Sequence, residues 1–231
     1  MNDNPTAKLL LIETSGRVGR IGVAQGPTLL AEHVLDESRR HARDLAPAVA
    51  DLLRQHGWQA RDLAAVIASL GPGSYTGLRV GIMSAKALAY ATGCAVGGVP
   101  TFHVLARQAE SADGLTIEVV GDAQQEKLYV QRFRRGTTTE PFAPDTDLEV
   151  VAGPDWAKTR PPSDLLIGPG VLKALRWLAV PATAVEPTVA ALLAVGWERF
   201  VHGDPANVMA VEPLYLRRSS AEEQWDRRAG R

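Results

Sequence analysis

Apolar residues run almost unbroken through "KLLLIET" at residues 8–14, the pattern of a strand covered on both faces. "VGRIGVAQ" follows after Ser15 and Gly16, and "TLLAEHVL" after Gly26 and Pro27. Both breaks carry turn chemistry, and connections this short demand antiparallel neighbours. A period near 3.6 then takes over. Ala42, Leu45, Ala46, Val49, Leu52, Leu53 and His56 recur at three- and four-residue spacing, with Ser38 as N-cap and Gly57 as stop. Pro47 lies inside that helix and predicts a kink or break. "LAAVIAS" at 63–69 and "AVGGV" at 95–99 read as strands flanking a helix over 77–92.

The later pattern is less regular. Residues 101–110 read as helix, "LTIEVVGDA" and "KLYVQRF" as paired strands, and "RRGTTTEPFAPDTD" as a loop. "DLLIG" is a strand running into a second glycine turn, "VLKALRWLA" and "PTVAALLAVGWERFVHG" are helical, and "VEPLYLR" is a last strand. Each half thus places strands first and a strand–glycine–helix unit later, as two similar α/β lobes would. The expected division is 1–100, 101–217, and a charged tail over 218–231.

"GPGSYTGLRVG" at 71–81 draws most attention. Gly71, Gly73 and Gly77 permit backbone geometry closed to other residues, and Ser74 or Thr76 suits the cap of the next helix. Free N–H groups at a helix start attract anions, so the stretch is either a bare turn or a phosphate site. It matches neither the P-loop nor the dinucleotide spacing. The helix itself has Arg79 and Lys86 as its only charges from Leu78 to Tyr90. Gly81, Ser84, Ala85 and Leu88 form a small-residue face, and Leu78, Ile82, Ala85 and Ala89 an overlapping apolar one. Such a helix calls for cover on more than one side, from the same chain or another.

Composition narrows the functions. The 231 residues are 45% hydrophobic and 22% charged, with a formal net charge of −1. No global field would hold a polyanion, so any nucleic-acid contact is local or comes through a partner. Cys94 is the single cysteine, no apolar run has spanning length, and the start lacks a signal-peptide pattern, so a cytoplasmic protein is expected. Histidines 33, 41, 56, 103 and 202 form no helical metal pair, and Ser74 has no identifiable base. Glu13 and Asp122 both follow apolar strands, where they would either hold Mg²⁺ near phosphates or cap turns.

"LLLIETS", "GPGSYTGLRVG", "VGGVPTFHVLA", "GDAQQEKLYVQRF" and "VEPLYLRR" occur in this order across most of the chain. Together they resemble the TsaB (YeaZ) family. The resemblance implies the actin-like fold shared with sugar kinases and Hsp70. It also implies a part in making N6-threonylcarbamoyladenosine at position 37 of tRNAs that read codons starting with A. In that family the protein is the non-catalytic partner of the transferase TsaD, with the ATPase TsaE docking on the pair. TsaD carries a His-x-x-x-His metal motif; the matching positions here are Thr101 and Leu105, with His103 between them. No catalytic or metal-binding residue is therefore expected, nor a tightly bound cofactor, though ATP or ADP can sit at the TsaD interface. The resemblance assigns that interface, and a competing homodimer, to the two helices of the first lobe. The expected contacts are Leu45, Val49, Leu52 and Leu53 on the first helix and Leu78, Ile82 and Ala85 on the second. tRNA would be met only through the complex, with Arg217 and Arg218 as basic candidates, and no membrane is involved. Two rival readings stay open. A small kinase of the actin-like fold would use Glu13, Asp122 and the glycine turns at 71–77 and 168–170; a metallopeptidase would lack its histidine pair.

Overall fold

A computed structural model of the protein describes residues 4–35, 41–109, 116–137, 140–203 and 211–216. The first lobe runs β1 (Lys8–Glu13), β2 (Arg20–Gln25), β3 (Thr28–Val34), α1 (His41–Gln55), β4 (Ala65–Gly71), α2 (Tyr75–Thr92), β5 (Ala95–Pro100) and α3 (Thr101–Arg107). The second runs β6 (Thr116–Asp122), β7 (Lys127–Arg134), β8 (Ala143–Pro144), β9 (Glu149–Ala152), α4 (Gly153–Thr159), β10 (Leu165–Ile167), α5 (Val171–Ala174), β11 (Ala182–Thr183) and α6 (Val189–Val201).

The two sheets share one topology. The first has the order β3-β2-β1-β4-β5; the second has β11-β10-β6-β7-β8, with β9 also paired to β7. In each, the leading strand pairs antiparallel with the next strand and parallel with the strand after the helix: β1 with β2 and β4, β6 with β7 and β10. The expected echo between the halves is therefore a repeated fold unit, and the architecture is actin-like α/β.

Strand alternation decides what covers each face. Leu10, Ile12, Val23 and Val66 face α1 and α2, which supply Leu45, Val49, Leu52, Leu53, Ile82 and Ala85. Leu9, Leu11, Ala24 and Ile67 face the other way, onto Val189, Leu192 and Leu193 of α6. Both faces of β1 are covered, which is why its apolar run is continuous. In the second lobe Phe102, Leu105 and Ala106 of α3 close one face with Ile117, Val119 and Phe133, while Trp156, Val171 and Ala174 close the other.

Two helices thus reach across the lobes. α3 follows the first sheet and joins both cores, Val104 in the first and Phe102, Leu105 and Ala106 in the second; α6 follows the second sheet but covers the first. Glycine makes the second contact close: a Cβ on Gly22 would lie 2.4 Å from Val189, and one on Gly196 would lie 2.7 Å from Ile67.

Several expectations are corrected. The division at residues 100 and 217 does not follow the packing, because α6 and Val211 belong to the first lobe's cores. "VEPLYLR" forms no strand over its described residues; it is held by the Leu214 N–H donating to Leu70 O at 2.8 Å. α1 runs unbroken through Pro47, which is exposed, while Leu45, Val49, Leu52 and Leu53 anchor the opposite side. "VLKALRWLA" forms only the four residues of α5. Ser38, Arg217, Arg218 and the tail lie outside the described residues.

Candidate functional site

The glycine stretch packs onto the end of β1. The Ser74 N–H donates to Ser15 O at 2.7 Å, pinning the start of α2 to the β1–β2 turn. A Cβ on Gly73 would lie 2.3 Å from Ser15 O, one on Gly77 would lie 2.1 Å from Thr14 O, and one on Gly81 would lie 2.2 Å from Thr14 Oγ1. The three stand four residues apart; Gly77 and Gly81 share one face of α2, and Gly73 precedes its cap. Their function is close backbone approach. Ser74 is the cap, its Oγ accepting from the Gly77 N–H at 3.2 Å; Thr76 is exposed and does not cap. Gly71, at φ 100°, donates its N–H to Thr101 Oγ1 at 3.2 Å. The N–H groups of Gly71, Ser74 and Gly77 are thus engaged by the chain itself, and the space beside the glycines is filled by residues 14 and 15.

Glu13 is completely buried at the same strand end. Its Oε1 accepts from the Ser15 N–H at 2.7 Å, Ser15 Oγ at 2.5 Å and Ser69 Oγ at 3.0 Å. Oε2 has no hydrogen-bond partner, nor does the neighbouring Thr14 Oγ1. Burial pushes the Glu13 carboxyl above the usual carboxylate range; the Ser15 and Ser69 hydrogen bonds pull it back, and the charge of Glu186 adds to the rise. Asp122, the matching residue at the end of β6, is tied elsewhere. It accepts from Lys173 Nζ at 2.5 Å and from the Gln124 N–H at 2.6 Å. Sequence reasoning missed Lys173, and it missed that Gln124, Gln125 and Glu126 all take left-handed backbone in the turn after Asp122.

These residues do not fit a Mg²⁺-nucleotide. A metal carboxylate must be open to the ion, whereas Glu13 is enclosed with Oε1 held by Ser15 and Ser69, and Asp122 is already paired with Lys173. The turn at 168–170 repeats the glycine device: a Cβ on Gly168 would lie 2.3 Å from Val120 O, and one on Gly170 would lie 2.6 Å from Gly121 C. Among the described residues no group of three or more His, Cys, Asp or Glu is placed to hold a metal ion. Thr101 and Leu105 are buried in α3, and His103, edge-on to the Phe133 ring at 5.4 Å, is lowered to about 4 by burial and by Arg199.

The expected partner-facing residues are corrected as well. Leu45, Val49, Leu52, Leu53, Leu78, Ile82 and Ala85 are all buried inside the monomer, against the first sheet. Periodicity identified the apolar side of each helix, but the sheet of the same chain already covers it. The outward face carries other residues. On α2 it holds Thr76, Arg79, Met83, Ala87 and Tyr90, with Met83 63% and Tyr90 92% exposed. On α1, packed on the same side of the sheet, Ala46, Pro47 and Ala50 are exposed. Sequence signals for this face were present: a large apolar residue at 83 and an aromatic at 90, both off the core stripe.

Known proteins fix the family. Residues 28–152, more than half of the chain, match the family model described as TsaD, tRNA N6-adenosine threonylcarbamoyltransferase. The tRNA threonylcarbamoyladenosine biosynthesis protein TsaB of Bacillus subtilis is 27% identical over 94% of this chain and 97% of that protein. TsaB of Escherichia coli is 27% identical over 93% of this chain and 96% of its own length. The chain belongs to the TsaB (YeaZ) family. The structure of YeaZ from Pseudomonas aeruginosa superimposes with a TM-score of 0.78 at 23% identity, covering 91% of this chain and all of that one, and so shares the fold. Like its TsaB relatives, the protein has a role in tRNA threonylcarbamoyladenosine biosynthesis. No helix among the described residues is long and apolar enough to cross a membrane.

Proposed function

We propose that the chain is a non-catalytic scaffold and activator that binds a TsaD-type threonylcarbamoyltransferase through the outward face of α1 and α2. The observation that carries this is the exposed stripe of α2. Met83 and Tyr90, 63% and 92% exposed, flank Ala87 on a helix without one acidic residue. Large apolar side chains displayed together in this way mark a surface to be covered. The same face serves a homodimer when the chain is alone, so self-association and transferase binding compete. A TsaE-type ATPase joins the pair, and tRNA is bound by the assembly. ATP or ADP used by the assembly is held at the transferase interface, since the Glu13 and Asp122 clusters engage their own polar groups. The setting is the cytoplasm.

Reconstitution tests this reading. Threonylcarbamoylation of a matching tRNA would be assayed with the transferase, the ATPase and the adenylate-forming enzyme, with and without this chain. Product that requires both this chain and the transferase is the expected result. Equal product without the chain would overturn the scaffold role.

A further inference from the structure

The start of α2 and the segment 211–216 build a second cluster at the edge of the docking face, with Arg79 common to both. The rings of Tyr75 and Tyr215 lie 5.2 Å apart at 37°. The Arg79 guanidinium sits over both, 4.7 Å from the Tyr75 ring and 6.0 Å from the Tyr215 ring. Tyr75 is 40% and Tyr215 47% exposed, and Leu214 and Leu216 are exposed beside them. The arrangement is fixed from beneath: Val211 is buried in the core, and Leu214 is hydrogen-bonded to Leu70. Among the described residues Arg79 makes no ion pair, unlike Arg20 with Glu32 or Arg160 with Glu118.

We infer that Tyr75, Arg79 and Tyr215 form a platform for unpaired nucleotides of the tRNA within the assembly. The inference rests on the proposed scaffold role. Exposed aromatic faces stack on bases irrespective of sequence, and an adjacent guanidinium pairs with phosphate. Arg79 supplies that positive charge without a carboxylate to cancel it. α2 carries no acidic residue, and Glu212 is the single one on 211–216. A chain of net charge −1 needs a local site of this kind to touch RNA at all. Tyrosine and arginine also make hot spots between proteins, so the experiment must separate the two partners.

The test uses the full chain assembled with its transferase and ATPase. An unmodified transcript of a tRNA reading A-starting codons is titrated into wild-type, Tyr75→Ala/Tyr215→Ala and Arg79→Gln assemblies. The expected result is RNA affinity weakened about ten-fold by each variant, and a shallower salt dependence for Arg79→Gln by about one ion. Binding of the transferase to the Tyr75→Ala/Tyr215→Ala chain, followed by calorimetry, is expected to be unchanged. Thermal melts check folding, and Tyr75→Phe, which keeps the ring, is expected to bind RNA as the wild type does. Equal RNA affinity in all variants overturns the inference. Loss of transferase binding by the Tyr75→Ala/Tyr215→Ala chain also overturns it, identifying a protein contact instead. If the wild-type chain forms no assembly, the scaffold reading has failed and the inference fails with it.

Discussion

Glu13 and Gly77 show how a motif that suggests ligand chemistry can serve packing. Glu13 is fully buried and its carboxyl is pushed above the usual range by desolvation. A group raised in the folded state stabilises the protein below its unfolded pKa, and that contribution is lost as pH rises through the folded value. Glu13→Gln, which is neutral throughout, should escape this loss. Melting temperatures of the two proteins should diverge as pH rises above the ordinary carboxyl range, in favour of the variant. A gap that stays constant from acid to neutral pH would contradict the linkage. Gly77→Ala asks a simpler question. Its methyl would meet Thr14 O at 2.1 Å, a backbone atom that cannot swing away. Overpacking of this kind should cost about 3 kcal/mol, read by denaturant unfolding. The glycines at 73 and 77 were legible as special positions, but their partners were not, because Thr14 and Ser15 lie some sixty residues earlier in the chain.

At the scale of elements, the two helices of the first lobe divide into a covered side and a displayed side. The continuous apolar run of β1, the short turns after it and the small-residue pattern of α2 were readable because each is a local signal. What lies opposite an apolar stripe is a tertiary matter. Leu78 and Ile82 face the chain's own sheet, so Leu78→Arg buries a charge without a partner. It should destabilise the monomer by roughly 4 kcal/mol or more, and any loss of binding would follow from unfolding. Met83→Glu and Tyr90→Glu are the informative pair. Both side chains are exposed, so the melting temperature should move little while transferase binding falls at least ten-fold in calorimetry. A Met83→Glu/Tyr90→Glu protein that binds the transferase normally would sink the docking face. The short elements of the second lobe escaped sequence reading for a different reason. β8 and β11 have two residues each and α5 has four, below the length at which a period can be recognised.

The crossing of α3 and α6 between the lobes governs the behaviour of the whole molecule. Each lobe repeats the same strand order, yet α6 covers the other lobe and α3 is shared between the two cores. Without α6, the face of the first sheet formed by Leu9, Leu11, Ala24 and Ile67 would be open to water. Without α3, the second sheet would lose the cover of Phe102 and Leu105. The chain therefore should not divide where its sequence repeat divides. A fragment of residues 1–100 is expected to aggregate or stay unfolded, because it exposes that apolar face. A separate fragment of residues 101–231 carries α6 and Val211, so mixing the two should restore cooperative unfolding and native circular dichroism. Each lobe also contributes to the other's core through these helices, which couples them into a single unfolding transition. Calorimetry of the intact chain should then show one peak with equal calorimetric and van't Hoff enthalpies. Independent folding of residues 1–100, or two resolved transitions, would mean that the crossing helices are dispensable cover. The same coupling gives a partner bound on α1 and α2 a route to the second lobe, since α6 lies across the opposite face of the sheet that those helices rest on.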